Sequence, residues 1–410
     1  MRASATLAAI AGVLASGVSA ENYLGFNSGS TLADRSAKFK ADFLAEFNTA
    51  QKLQGAPGKF NAVRLYTNIQ AYSKDDPIQA FEAAIETKTK ILLGIWTSGT
   101  DSIGNELSAL KKAVTKYGKE FTDLVIGMSV GSEDLYRNSE TGVKNEAGVG
   151  AGPDVLIKFI NDYKKSVAGT ALAGVPIGHV DTWDAFVNGT NKKVIDALDW
   201  VGVDEYPYYE SGKGNNIKNS GYLFDRAFDA VAAAVGDKPI WVTETGWPSS
   251  GPKWDQAEAS VENAKYYWQE IGCRKLFNKV PTFWYNLRDS NPDNKMLFQI
   301  TSNLSTKPLF DLTCPTTFDT PTATAKSSTA SATGFSTATG AGSSPTGSGS
   351  GSGSDSGSGT GSSASTEGTG NTESSASTSG TPQSGASLGM SFSTFTISGL
   401  AVVAGVFALF

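Results

Sequence analysis

Trp241-Val242-Thr243-Glu244-Thr245-Gly246-Trp247-Pro248 (WVTETGWP, residues 241–248) is the stretch from which the fold is read. Aromatic and β-branched residues suit a pleated, buried strand, and Trp241, Val242 and Thr243 are of that kind. Glu244 follows at once, and Gly246 and Pro248 then break the strand. A second stretch has the same form. DLVIGMSVGSEDLY, residues 123–136, is an apolar run that also delivers a carboxylate, Glu133, at its end.

Outward from these two, short apolar strand candidates recur along the chain. They cover Tyr23–Phe26, Ala62–Tyr66, Ile91–Trp96, Leu124–Val130, Val175–Val180, Trp200–Asp204, Ile240–Thr243 and Thr282–Tyr285. Amphipathic stretches fall between them: Phe39–Leu53, Pro77–Thr87, Glu106–Tyr117, Pro153–Val167, Lys192–Leu198, Leu223–Val235 and Glu258–Ile271. Phe39, Phe43, Leu44 and Phe47 have the spacing of one buried helix face. Eight strands alternating with helices predict an α/β fold, a (β/α)8 TIM barrel. An open doubly wound sheet would carry a Gly-rich phosphate loop after its first strand, and Gly25-Phe26-Asn27-Ser28-Gly29-Ser30 matches that poorly.

Composition narrows the function. With 40 acidic and 34 basic residues the formal charge is −6, and no basic stripe stands ready for a nucleic-acid backbone. The single histidine, His179, leaves a multi-histidine zinc site unbuildable, and no nucleophile-elbow motif accompanies it. It reads as a satisfied polar residue or cleft lining rather than a catalytic base. No metal and no cofactor are expected. The two cysteines, Cys273 and Cys314, fit neither a metal site nor a CxxC pair. In an oxidising compartment they would form one disulfide, worth about 3–4 kcal/mol on the chain-entropy picture; two buried thiols are the other reading.

Both ends of the chain read as addresses. Residues 1–20 combine Arg2, an apolar run and Val18-Ser19-Ala20 as a cleavage site, the pattern of a signal peptide. Phe395 to Phe410 is apolar with no Lys or Arg after it, and small residues Ser384-Gly385-Ala386-Ser387 lie upstream. That layout predicts a GPI-anchor signal over 386–410 with attachment at Gly385, and hence a membrane partner. Between them, 316–385 is a Ser/Gly/Thr-rich linker. In 341–370, 25 of 30 residues are Gly, Ser or Thr, too little apolar matter to offset the entropy of ordering. Its roughly 70 residues would span about 45 Å as a random coil. Asn188-Gly189-Thr190 and Asn303-Leu304-Ser305 are N-glycosylation sequons, consistent with secretion to the cell surface. Residues 21–315 are left for the folded domain, expected to act as a monomer.

In a barrel, working residues gather at the C-terminal ends of the strands. Glu133 follows the fourth strand and Glu244 ends the seventh, so they would meet across the mouth. Paired carboxyls flanking a sugar linkage serve glycoside cleavage, with retention when close and inversion when a water fits between them. The competing reading pairs each Glu with a barrel arginine such as Arg64 on strand two.

The residues resemble glycoside hydrolase family 17, specifically the fungal wall-anchored endo-1,3-β-glucanases, over nearly all of 21–315. WVTETGWPS carries the resemblance most specifically and implies that Glu244 is the nucleophile. VGSEDLYR (130–137) implies that Glu133 is the acid/base. VGVDEYPYY (201–209) implies a Tyr206 hydrogen bond to the nucleophile with Asp204 beside it, and FWYNLRD (283–289) a cleft-lining Trp284. One departure stands out: the plant pattern has Asn before the acid/base, contacting the sugar 2-OH, where this chain has Ser132.

The resemblance implies a retaining double displacement on cell-wall β-1,3-glucan. A β-1,3-glucanosyltransferase differs only in its acceptor, and a non-catalytic glucan-binding wall protein would have no need of both carboxylates. Tyr66, Trp96, Tyr208 and Trp247, each near a strand end, are candidates for stacking on sugar.

Overall fold

The computed structural model describes residues 22–319 and Pro321. The signal segment, nearly all of the linker, and the anchor region with Gly385 lie outside the described residues.

Eight parallel strands close into a barrel in chain order: β1 (Leu24–Ser28), β2 (Ala62–Leu65), β3 (Lys90–Ile95), β4 (Val125–Ser132), β5 (Ile177–Thr182), β6 (Trp200–Asp204), β7 (Ile240–Glu244) and β8 (Thr282–Trp284). β8 returns to β1 through the register Leu24↔Thr282 and Phe26↔Trp284. The fold is therefore the expected (β/α)8 barrel. Longer helices run at Lys40–Gln51, Ala80–Thr87, Gly104–Tyr117, Pro153–Val167 and Ser220–Val235, with a shorter one at Lys192–Asp196. After β7, helix Val261–Tyr267 continues as a π-helix, Trp268–Leu276.

Alternation along the strands divides the core. Val63, Leu65, Ile91, Leu93, Val201 and Val203 face outward and pack beneath the helices. Ala62, Leu92, Val180, Trp200, Trp241 and Phe283 form a separate cluster drawn from six strands, filling the barrel interior. Trp200 and Trp241 stack there with centroids 4.4 Å apart. Burying a large apolar side chain of this kind contributes about 1.5–3 kcal/mol. A layer of polar side chains, including Asn27, Arg64 and Asp204, is buried among the strands as well.

The first helix corrects one expectation. Phe43 and Phe47 are buried, but Phe39 is 53 % exposed and Leu44 only half-buried. The helix begins at Lys40, and Phe39 precedes it in extended backbone, its N–H donating to the Asp42 carboxylate at 2.9 Å. Capping, not packing, uses that position.

Cys273 and Cys314 form a disulfide that ties the π-helix to the segment closing the domain, enclosing a separation of 41 residues. Of the two cysteine readings, the structure takes the bonded one.

Candidate active site

The C-terminal end of β4 is bent to present its carboxylate. Register against β5 shifts between Ser129 and Ser132, a bulge of the kind that re-aims side chains. Gly131 sits at φ 92°, and a Cβ there would lie 2.5 Å from Asp134 Oδ2 and 2.9 Å from His179 Cε1, so only glycine fits. Glu133 itself is left-handed at φ 55°, ψ 27°, a conformation costing about 1–3 kcal/mol for a residue with a side chain. Hydrogen bonds hold it there: its N–H donates to Val180 O at 2.8 Å and its carbonyl accepts from Arg137 N–H at 3.0 Å.

Glu244 ends β7 and is buried. Its Oε1 accepts from Arg64 Nη1 at 2.6 Å and from the Tyr66 hydroxyl at 2.6 Å. Its Oε2 accepts from the Tyr206 hydroxyl at 2.8 Å. Burial and the negative charge of Glu244 both raise the phenol pKa values of Tyr66 and Tyr206 well above the usual range, so both remain donors. Arg64 joins the strands around the mouth. Nη1 also reaches Asn27 Oδ1 at 2.9 Å, and Nη2 donates to Ser132 Oγ at 2.9 Å. Asn27 is held in turn by carbonyls of Thr243 and Phe283.

Glu133 Oε2 pairs with Arg137 Nη2 at 3.0 Å. Burial pushes the Glu133 carboxyl up to about 8; Arg137 opposes this, while the charges of Glu244 and Asp181 add to it. Each glutamate thus has an arginine partner, as the competing reading supposed. Ion pairing does not account for the rest of the arrangement. A salt bridge alone does not need two phenols on Glu244, or a Glu133 carboxyl raised to about 8 and held in left-handed backbone.

Asp204, beside this pair, accepts from Thr243 Oγ1 at 2.7 Å, while its Oδ2 is buried without a protein partner. Burial, then the Glu244 charge, raises its pKa well above the carboxylate range against the pull of Arg64.

The structure redistributes the aromatic candidates. Tyr66 holds Glu244 by its hydroxyl, and the Arg64 guanidinium lies 4.5 Å from its ring centroid, so the proposed stacking role gives way to a hydrogen bond. Trp96 is half-buried at the end of β3, with the Arg137 guanidinium 5.2 Å from its ring centroid. Tyr208, Trp247 and Trp284 are not brought to the cleft. Tyr208 is buried with its hydroxyl on Pro252 O, edge-on to Trp247, whose Nε1 donates to Glu258 O. Trp284 packs among Trp268, Tyr267 and Phe277 on the outer side of β8. The next residue, Tyr285, turns the other way to meet Tyr206 and Phe298. Asn188 and Asn303 are both exposed.

Four further groups went unread in the sequence. Arg137 was visible as the i+4 partner of Glu133. Tyr285 is one residue past the expected Trp284. Glu106 ties the loops after β2 and β3, accepting from Thr67, Asn68 and the Trp96 N–H. Asp181 accepts backbone N–H groups of Leu135 and Tyr136, 46 and 45 residues distant, a contact without any local pattern.

Residues 31–300 match the BtgE/BtgC glycoside hydrolase domain. The chain belongs to that family. Among curated relatives, a probable glucan endo-1,3-β-glucosidase of Aspergillus niger is 50 % identical over 312 residues, spanning 76 % of this chain and 67 % of that one. Another of that description from Aspergillus terreus is 50 % identical over 295 residues, 71 % of this chain but only 60 % of the relative's own length. Among solved structures, a glycoside hydrolase family 17 β-1,3-glucanosyltransferase from Rhizomucor miehei superposes with a TM-score of 0.58 at 25 % identity, covering 72 % of this chain and 98 % of that one. As a BtgE/BtgC glycoside hydrolase, the chain is an enzyme whose carboxylates sit where this fold places catalytic groups.

Proposed function

We propose that this BtgE/BtgC glycoside hydrolase is a retaining endo-1,3-β-glucanase of cell-wall β-1,3-glucan, with Glu244 as nucleophile and Glu133 as acid/base. The observation that carries the reading is the grip on Glu244. Two donors fix Oε1 and one phenol contacts Oε2. Oε2, the less engaged oxygen, attacks the anomeric carbon as the glycosidic C–O bond breaks, and the Glu133 proton passes to the departing oxygen. In the glycosyl-enzyme the Glu244 charge is gone, so one of the influences raising the Glu133 pKa is lifted. Glu133, now ionised and next to Arg137, takes the proton of an incoming hydroxyl, which attacks the anomeric carbon and frees Glu244.

The incoming hydroxyl belongs to water in a hydrolase and to a second glucan chain in a transferase. Similarity to the Rhizomucor miehei glucanosyltransferase supports the second reading. A product time course on a reduced linear β-1,3-gluco-oligosaccharide separates them. Only shorter products are expected, whereas products longer than the starting oligomer make it a transferase. Glu244→Gln should abolish turnover with glucan binding retained; full activity in that variant removes the assignment.

The same proposal places the domain at the cell surface as a monomer. A signal peptide, a Ser/Gly/Thr-rich tether and a GPI anchor at Gly385 form the carriage. Release by phosphatidylinositol-specific phospholipase C would support the anchor, and unchanged membrane association after it would count against it.

A further inference from the structure

The chain's only histidine lies directly behind the Glu133 segment. His179, on β5, is fully buried. Its Nδ1 is 2.8 Å from the Val130 carbonyl oxygen and its Nε2 2.8 Å from Asp181 Oδ2. A carbonyl oxygen has no proton to give, so Nδ1 must carry one. The Asp181 carboxylate is already an acceptor: Oδ2 takes Leu135 N–H at 2.8 Å, and Oδ1 takes Tyr136 N–H at 3.2 Å and Thr182 N–H at 2.9 Å. Nε2 therefore donates too, and the ring is an imidazolium.

The groups facing His179 are Asp181 on its own strand and Asp134 from the turn after β4, with Arg137 beside Asp134. Asp134 binds the other flank of the segment, accepting Ser132 N–H at 2.9 Å and the hydroxyls of Thr97 and Ser98 at 2.6 and 2.8 Å. Two buried carboxylates thus grip the backbone on either side of Glu133. Buried carboxylates need a compensating cation, and His179 places one against Asp181, with Arg137 also beside Asp134. Burial opposes the histidine's charge, but Asp181 and Asp134 outweigh it and hold the ring's pKa above its ordinary value.

We propose that His179 is a permanently protonated positioning residue, whose charge lets Asp181 and Asp134 clamp the strained backbone that aims Glu133 at the glycosidic oxygen. The inference rests on Glu133 being the acid/base. His179 touches no substrate and transfers no proton.

Because the chain has one histidine, its ring signals in untagged protein need no assignment by mutation. Heteronuclear nitrogen–proton NMR of the wild type should show both ring nitrogens protonated at neutral pH, and a neutral tautomer there would overturn the proposal. The second experiment compares His179→Gln on two substrates. On an unactivated β-1,3-gluco-oligosaccharide, kcat should fall about 10-fold or more with KM little changed, since proton transfer is what is lost. On a dinitrophenyl β-laminaribioside, whose leaving group needs no proton, formation of the glycosyl-enzyme should be nearly normal, and azide should speed its breakdown. Equal loss on both substrates would mean a merely structural role and would sink the idea. Glu133→Gln run in parallel separates the two assignments. If it too fails to distinguish the substrates, the acid/base assignment is at fault, while the NMR result still stands alone.

Discussion

The Tyr66 hydroxyl lies 2.6 Å from Oε1 of Glu244, on the same oxygen that accepts Arg64 at 2.6 Å. Two short donors on one oxygen stabilise the carboxylate and hold its plane. Under the proposed mechanism they would keep that oxygen as the carbonyl when the other one bonds to sugar.

Tyr66→Phe and Tyr206→Phe should therefore behave differently. Losing Tyr66 removes a donor that acts throughout the reaction, and kcat should fall by about 10²-fold, in the range seen for single preorganised donors. Tyr206 contacts Oε2 of Glu244 at 2.8 Å, the oxygen that attacks in the proposed mechanism, so its bond would weaken as Oε2 bonds to carbon. Tyr206→Phe should lower kcat by less and change KM more. Steady-state kinetics on one oligosaccharide decides between these outcomes; identical losses in both variants would contradict the assignment of the two oxygens.

The pH profile should carry the mark of Glu133. With its carboxyl at about 8 in the free enzyme, kcat/KM should decline on an alkaline limb near that value. The same group acts on stability in a definite direction. An unfolded Glu releases its proton near the ordinary value of 4.5, whereas the folded one keeps it to about 8. Between those values the unfolded state binds fewer protons, so rising pH erodes stability. Glu133→Gln, an uncharged isostere, should melt at the same temperature as the wild type near pH 4 and above it near pH 8. Thermal melts at the two pH values test this.

Trp96 and Trp284 make a matched contrast. Trp96 is half-buried at the cleft end of β3, and Trp96→Ala should raise KM while changing the melting temperature little. Trp284 is wrapped in Trp268, Tyr267 and Phe277, so Trp284→Ala should cost about 3–5 kcal/mol of stability. Urea unfolding of both variants beside their KM values would show whether the two roles are correctly divided.

Opening the Cys273–Cys314 bond frees a loop of 41 residues, and neither cysteine is among the groups that hold Glu133 or Glu244. Loop entropy sets the loss at about 4 kcal/mol. Cys314→Ser should unfold at lower urea with kcat unchanged at temperatures where it remains folded; a changed kcat would show that the bond reaches the site.

Much of this molecule was legible in one dimension because strands and helices announce themselves through local periods. All eight strands fell within a few residues of their expected places, and WVTETGWP and VGSEDLYR marked the two strand ends that carry carboxylates. Even the arginine beside Glu133 was within reach, four residues on. What a sequence lacks is the register that chooses between adjacent residues. Trp284 and Tyr285 both stand at the end of β8, yet neighbouring side chains leave a strand on opposite faces. Barrel closure turned the tyrosine toward Tyr206 and the tryptophan into the helical layer.

The sequence by itself determined the barrel, the two glutamates at its mouth, and the supply of aromatics, since each depends on residue type at short spacing. Only the tertiary structure decided that Tyr66 grips Glu244 from 178 positions away, that Tyr208 and Trp247 are core, and that buried His179 meets Asp181 and faces Asp134. Those contacts join distant segments, and their energies depend on distance, burial and hydrogen-bond geometry, which exist only once the barrel has closed.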